Sequence, residues 1–475
     1  MKRELTWVAM TTFLMAATSC SQSEIENPVD QPVSKPVTLG VNVGVNKTKA
    51  AVTGTAITYD DKNYAKTAYG IGIVVTNADV SGYYAATTAN FEIGYDYTNP
   101  GYDICFMGDA AGTGWKAIDV ATFPTTAASE KVKPFYLDKN PGKIFAYYPY
   151  DKSASSGRKK ATIAEGAVTY PVSVPATTTT AIDGTIANAA KSFATSWADN
   201  KTKNPVNIST DEIDYLYFRP DDGYGRLVNN GSNPGADGVV AEPATPNNTD
   251  ETNPGNSIAL SMKHALSMVT FRLYDKDLVA KAPTGTTPNA TTLGSVASFK
   301  ITNATSGSGV FKVGDAIMKI SNDDAAATDV INKDGAAGEE LTRTIKDYFL
   351  IRARATGSKD PFGTAEKASK LTYLYGVGED GRAAANYIST LVYPIADLAE
   401  NTVKVEFQIS EPGSGAATFP LEAMLPVPTD AEGNSGWLPN KNYIYTFSVS
   451  KKGLSVVDVK VADWESVEID DIIDL

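Results

Sequence analysis

The chain has 475 residues, more than one hydrophobic core comfortably holds, so two domains are the default expectation. Its formal net charge of −13 argues against nucleic-acid binding, which needs a basic surface, and against polybasic attraction to anionic lipid. Two cysteines and one histidine leave little material for disulfides, histidine-based triads or multi-histidine metal sites.

Residues 1–20, MKRELTWVAMTTFLMAATSC, begin with Lys2 and Arg3 and continue into an apolar run too short to span a bilayer. Ala17-Thr18-Ser19-Cys20 is similar to a bacterial lipobox, with Ala17 where leucine is preferred. On this reading 1–20 are a lipoprotein signal peptide, Cys20 carries the lipid, and 21–36 form a polar tether.

The clearest strand follows. Val37, Leu39, Val41, Val43 and Val45 alternate with Thr38, Gly40, Asn42 and Gly44, a period of two that makes one face apolar. Gly40 and Gly44 weaken the strand in isolation, so it needs a partner sheet. Further strands are expected at 70–76, 90–98, 143–150, 168–174 and 214–219. Pro149 is expected to end the third of these, because proline cannot donate to a central ladder. The segment 177–200 has no clean apolar face and reads as a long loop with a short helix at most. Residues 229–256 are rich in Asn, Gly, Pro and Thr and read as a linker or long loop. A second strand set is expected at 257–260, 267–274, 295–302, 348–353, 371–377, 389–394, 403–410, 443–450 and 454–461. Abundant Tyr, Thr and Val, close turn residues and the lack of helical stripes indicate an all-β protein. Its sandwiches have Greek-key connections and divide at 37–228 and 257–475.

Residues that carry chemistry are scarce. His264, at the entry to a strand, reads as a packed structural side chain. Cys105, in YDICFMG, reads as a buried inert thiol, because nothing basic flanks it. Gly307–Gly314 lacks the Lys-Ser/Thr close of a phosphate loop and reads as a hairpin turn. The carboxylate pairs Asp221-Asp222, Asp323-Asp324, Glu339-Glu340 and Asp470-Asp471 sit in loop-like surroundings and read as solvated charge. A calcium site at 322–324 has no EF-hand spacing to support it. No catalytic residue, metal site or cofactor is expected.

Four stretches, in order along the chain, resemble the fimbrillin family, the type V pilins of anaerobic gut and oral bacteria. They are the lipobox at Cys20 with its alternating strand, Phe145–Tyr150 (FAYYPY), Ser261–Phe271 (SMKHALSMVTF), and Trp437–Tyr443 continuing to Asp463-Trp464. Asp214–Tyr217 (DYLY) is a weaker fifth. The resemblance implies two tandem transthyretin-like β-sandwich domains and a fimbrial (pilus) subunit. Such a subunit is exported as an outer-membrane lipoprotein, trimmed by a protease that removes the first strand, and joined to its neighbours by strand exchange at the cell surface. The implied partners are other copies of the chain, related pilin subunits, the outer membrane through the lipid, and host glycans or proteins.

The residues fit that mechanism. Five buried aliphatic side chains at 37–45 would contribute roughly 7–15 kcal/mol as an upper bound. Their removal would leave a groove and a free sheet edge open to augmentation. Lys47 and Lys49 are the candidate cleavage sites, since no arginine occurs between Arg3 and Arg158. The candidate donor strand is the C-terminal run with Val457, Val459, Val461, Val467, Ile469, Ile472 and Ile473. The competing readings are an unprocessed anchor or tip subunit, and a glycan-binding surface lipoprotein with Tyr147, Tyr148, Tyr150 and the tryptophans as sugar platforms.

Overall fold

The computed structural model describes residues 37–45, 69–77, 80–84, 103–108, 115–118, 135–137, 142–151, 159–164, 166–184, 208–219, 226–227, 256–276, 278, 293–305, 310–320, 330–352 and 388–463. Every regular element among them is a β-strand. In chain order these are β1 (Val37–Val45), β2 (Tyr69–Asn77), β3 (Asp103–Gly108), β4 (Trp115–Ile118), β5 (Tyr136–Leu137) and β6 (Gly142–Asp151). Then come β7 (Thr162–Ala164), β8 (Ala167–Val174), β9 (Ile182–Asp183), β10 (Leu216–Phe218), β11 (Arg226–Leu227) and β12 (Asn256–His264). The remainder are β13 (Ser267–Asp275), β14 (Ser295–Asn303), β15 (Gly314–Lys319), β16 (Ile331–Asn332), β17 (Glu340–Phe349) and β18 (Ile351–Arg352), followed by β19 (Ile388–Val392), β20 (Val403–Ser410), β21 (Phe419–Met424), β22 (Lys441–Ser450) and β23 (Gly453–Asp463).

The first sheet runs β4-β3-β2-β6-β10-β12-β1-β5, with β11 also paired to β6. Six strand spacings separate β4 from β1 along it, about 29 Å if the sheet were flat. Yet β1 and β4 lie against each other, so the sheet is rolled. Inside the roll lies one core, to which Leu39 of β1, Ile73 of β2, Phe106 of β3, Ile144 of β6 and Met262 of β12 all contribute. The alternate residues of the same strands, among them Val74, Phe145 and Tyr147, point outward into a second core. Strands buried on both faces read as continuous apolar runs, and GIGIVVT and KIFAYY are such runs.

Three smaller sheets build on that outer face. The order β16-β15-β8-β7 packs on the roll through tyrosines, with the rings of Tyr147 and Tyr170 4.2 Å apart at their centroids and those of Tyr170 and Tyr215 6.5 Å apart. The sheet β18-β13-β22-β23, which also carries β19, faces the sheet β21-β20-β14-β17-β9. Between them Phe271 packs at 5.0 Å from Phe299 and 5.3 Å from Phe407, both edge-on.

Several expectations change on contact with this fold. Pro149 does not end its strand. The β2 register shifts between Gly70 and Gly72, so β6 runs through the proline at an irregularity, and the Pro149 carbonyl accepts a 2.7 Å hydrogen bond from the Tyr170 hydroxyl. Gly72 faces Tyr147 on β6, and its missing side chain makes the space that the ring occupies. Gly307–Gly314 is not a hairpin, because β14 and β15 enter different sheets. The Asn303 side chain holds the connection instead, accepting from the Phe311 amide at 2.9 Å and donating to its carbonyl at 3.2 Å. The 177–200 segment begins with a short strand, β9, laid parallel to β17.

Strand pairing also crosses the expected 229–256 boundary in both directions. The later strand β12 belongs to the roll, and the earlier strands β8 and β9 pair with β15 and β17. The described residues, from 37 to 463, fall in one compact unit. The expected strands at 90–98 and 371–377 lie outside the described residues.

Candidate strand-binding slot

β1 occupies the seam of the rolled sheet. On one side it pairs with β12 in parallel over seven positions, from Leu39 opposite Asn256 to Val45 opposite Met262. On the other side, among the described residues, β5 supplies two facing pairs, Val37 with Leu137 and Thr38 with Tyr136. One further backbone bond, from the Leu39 amide to the Phe135 carbonyl at 2.7 Å, closes that side. Leu39 is buried in the roll's core. The strand is therefore penultimate in its sheet and strongly bonded along one edge only. Its withdrawal would open the β12 ladder and a strip of the inner core together.

The other sequence-predicted residues fall as follows. Cys20, Lys47, Lys49, Val467, Ile469, Ile472 and Ile473 lie outside the described residues. Val37, Leu39, Val41, Val43 and Val45 all lie on β1. Val459 and Val461 are on β23, half-buried, and pack against their own chain's core, as do Leu454 and Val456. Val457, also half-buried, sits at an irregularity. The β22–β23 register shifts there, with Asp458 opposite Thr446 and Val456 opposite Phe447, so Val457 is the extra residue of a bulge. The described part of the tail thus completes its own sheet.

His264 closes β12 as a buried side chain, its Nδ1 2.8 Å from Asp214 Oδ1 and 2.7 Å from Oδ2. Cys105 is buried in the second core. Glu339 is solvent-accessible and paired with Lys312 at 2.9 Å, as expected of loop charge. The sugar-platform reading fails for Tyr147, Tyr148, Tyr150 and Trp437. Tyr147, Tyr148, Tyr150 and Trp437 are at most 3% exposed, because both faces of β6 are covered and Trp437 donates its indole N–H to the Tyr445 hydroxyl at 3.0 Å.

Sequence reasoning missed a polar cluster ahead of β10. The run Ser209–Asp214 precedes β10, which pairs with both β6 and β12. Glu212, buried, accepts from Arg343 Nη2 at 3.0 Å, from the Thr390 hydroxyl at 2.5 Å and from the Leu391 amide at 3.0 Å. Arg343, wholly buried, also donates to the Pro175 and Ala176 carbonyls, where the chain passes from β8 toward β9. Asp211 accepts from the hydroxyls and amides of Thr179 and Thr180, and these bonds, the Thr179 hydroxyl first, hold its carboxyl down at about 2. A polar run before a strand was the only local signal, since Arg343 is 131 residues away from Glu212 and Thr390 178. Among the described residues no group of three or more His, Cys, Asp or Glu is arranged to hold a metal. No helix among them is long and apolar enough to cross a membrane.

No family model matches the chain, and no curated protein matches it. Solved structures do align over most of its length. A fimbrial protein from Bacteroides vulgatus shares 15% identity at a TM-score of 0.42, over 90% of this chain and 99% of that one. A candidate cell adhesion protein from Bacteroides ovatus shares 11% at 0.42, over 91% and 98%. The tip fimbrial protein Mfa3 from Porphyromonas gingivalis, with a C-terminal truncation, shares 6% at 0.30, over 90% and 99%. These overlaps are too loose to carry a functional argument.

Proposed function

We propose that this protein is a structural subunit of a cell-surface fimbria, not an enzyme. It is exported as a lipoprotein on Cys20 and held at the outer membrane. Cleavage after Lys47 or Lys49 frees β1, and a strand from another copy or a related subunit takes its place. The observation that carries this reading is the seat of β1. It is bonded along one edge over seven positions and on the other over two, at the seam of a roll whose core it helps fill. When a strand so placed leaves, only the two-residue β5 is detached from the rest of the sheet. What it leaves is apolar and rich in free backbone groups, which is what a donated strand needs. The tail residues Val467, Ile469, Ile472 and Ile473 are the donor candidates, because Val459 and Val461 already complete the chain's own sheet.

Limited trypsin digestion of the full-length protein tests this. The expected result is a cut at Lys47 or Lys49, followed at high concentration by ladders that survive mild detergent and collapse on boiling. The Lys47→Ala/Lys49→Ala variant should stay intact and monomeric. A chain lacking 464–475 should be cut but should not form ladders. A clipped wild-type chain that remains monomeric when concentrated would refute the subunit reading. An uncut wild-type chain would favour an unprocessed anchor.

A further inference from the structure

The polypeptide leaves the rolled sheet and enters the paired sheets through two residues, Ala265 and Leu266, between β12 and β13. That passage is the shortest covalent link between them, beside the shared core that joins Val74, Phe145 and Tyr147 of the roll to Phe271 and Phe407. We infer that the run 209–214 is a clasp that bridges it, locking the rolled sheet and the two sheets facing each other across Phe271 into one mechanical and cooperative body.

The clasp works in two directions from one short segment. Backward, Asp214 grips His264, the last residue of β12, and the Tyr215 carbonyl accepts from the Ala265 amide at 2.8 Å. Forward, Glu212 takes Arg343 of β17 and Thr390 of β19, one strand from each of the two facing sheets. The Glu212–Arg343 pair is dry, with side-chain exposures of 1% and 0%. A dry ion pair with several satisfied bonds tolerates neither water nor a change of distance, because separating it leaves two uncompensated buried charges. A second bridge spans the same passage, since Asn440 at the start of β22 accepts from the His264 amide at 3.3 Å and donates its own to the Leu266 carbonyl at 3.1 Å.

The mechanical meaning rests on the proposed fimbrial role. A strand seated in the slot pulls on β12, and β12 continues covalently into β13, which pairs with β22 and through it with β23. Tension along a fibre would therefore pass through Ala265-Leu266. The clasp resists bending there.

Calorimetry of the full chain tests the clasp without any polymerisation, so its failure and the failure of the fimbrial reading are separate outcomes. Wild type should give one heat-absorption peak. The double variant Glu212→Leu/Arg343→Met removes both charges together and so is expected to fold. It should give two peaks, and amide exchange should show the roll opening apart from β13 and β22. The control Phe407→Leu weakens the core between the facing sheets and should lower the single peak without splitting it. One peak in the double variant, with exchange still concerted, would overturn the inference. So would two peaks in wild type or in the control.

Discussion

Cutting away everything through Lys49 is the most direct perturbation of the slot. Seven facing positions with β12 are lost. At one ladder bond per paired residue, each worth a net 0.5–1.5 kcal/mol, that is about 4–10 kcal/mol. Losing the burial of Leu39 adds about 1.5–3 kcal/mol. A whole domain is stable by about 5–15 kcal/mol, so the truncated roll should sit near its unfolding threshold. Hydrogen exchange is the suitable assay. Amides of β12 should lose the most protection, more than those of β20 and β22, whose ladders the cut does not touch. A synthetic peptide of residues 37–45 should restore protection. It should also raise the melting temperature progressively, by about 1.4 kcal/mol of stability per decade of peptide above its dissociation constant. The same peptide with Leu39→Asp should not, since the carboxylate would enter the core that receives Leu39. A truncated chain with unchanged β12 exchange and no response to peptide would show that β1 is ornamental and that the slot does not exist.

Other outcomes follow from single groups. In Thr179→Val, Asp211 should titrate above its wild-type value of about 2 but still below the ordinary 3.8, because the Thr180 bonds and the residue-179 amide remain, read by NMR of the carboxyl carbon. Because the folded pKa is depressed, Asp211 stabilises the fold above about pH 4 and that contribution is lost as pH falls toward 2, so the variant's acid unfolding should begin at higher pH. Tyr170→Phe leaves the buried Pro149 carbonyl without its donor and should cost about 1–3 kcal/mol in urea unfolding. Gly436→Ala should cost at least about 1–3 kcal/mol by the same measurement, since φ there is +96° and the added methyl would meet the Ile395 carbonyl, opening the Ile395–Trp437 bridge.

Most strands were legible because their signal is local. The alternation at 37–45, the runs at 70–76 and 143–150, and VKVEFQIS at 403–410 appear as β1, β2, β6 and β20. The edge strand β21 was missed, since FPLEAM carries a proline and little β-branching and holds its place through its partner β20. Gly314–Lys319 was missed for a similar reason, as the glycine before it looked like a turn. The candidate site was half legible. The first strand was readable from its valines. The clasp was not, because Glu212, Arg343 and Thr390 are ordinary polar residues until two distant strands and the segment before β10 bring them together.

By itself the sequence determined the secondary-structure class and the alternating face of β1, since each depends on residue type and spacing within a short window. Only the tertiary structure decided where β1 sits, that β12 belongs to the roll and β8 to another sheet, and that the tyrosines of β6 face protein instead of solvent. Those facts are matters of strand pairing. A strand's hydrogen-bonding edges look alike from within the chain, and which neighbour fills them is settled by how all the apolar faces bury together.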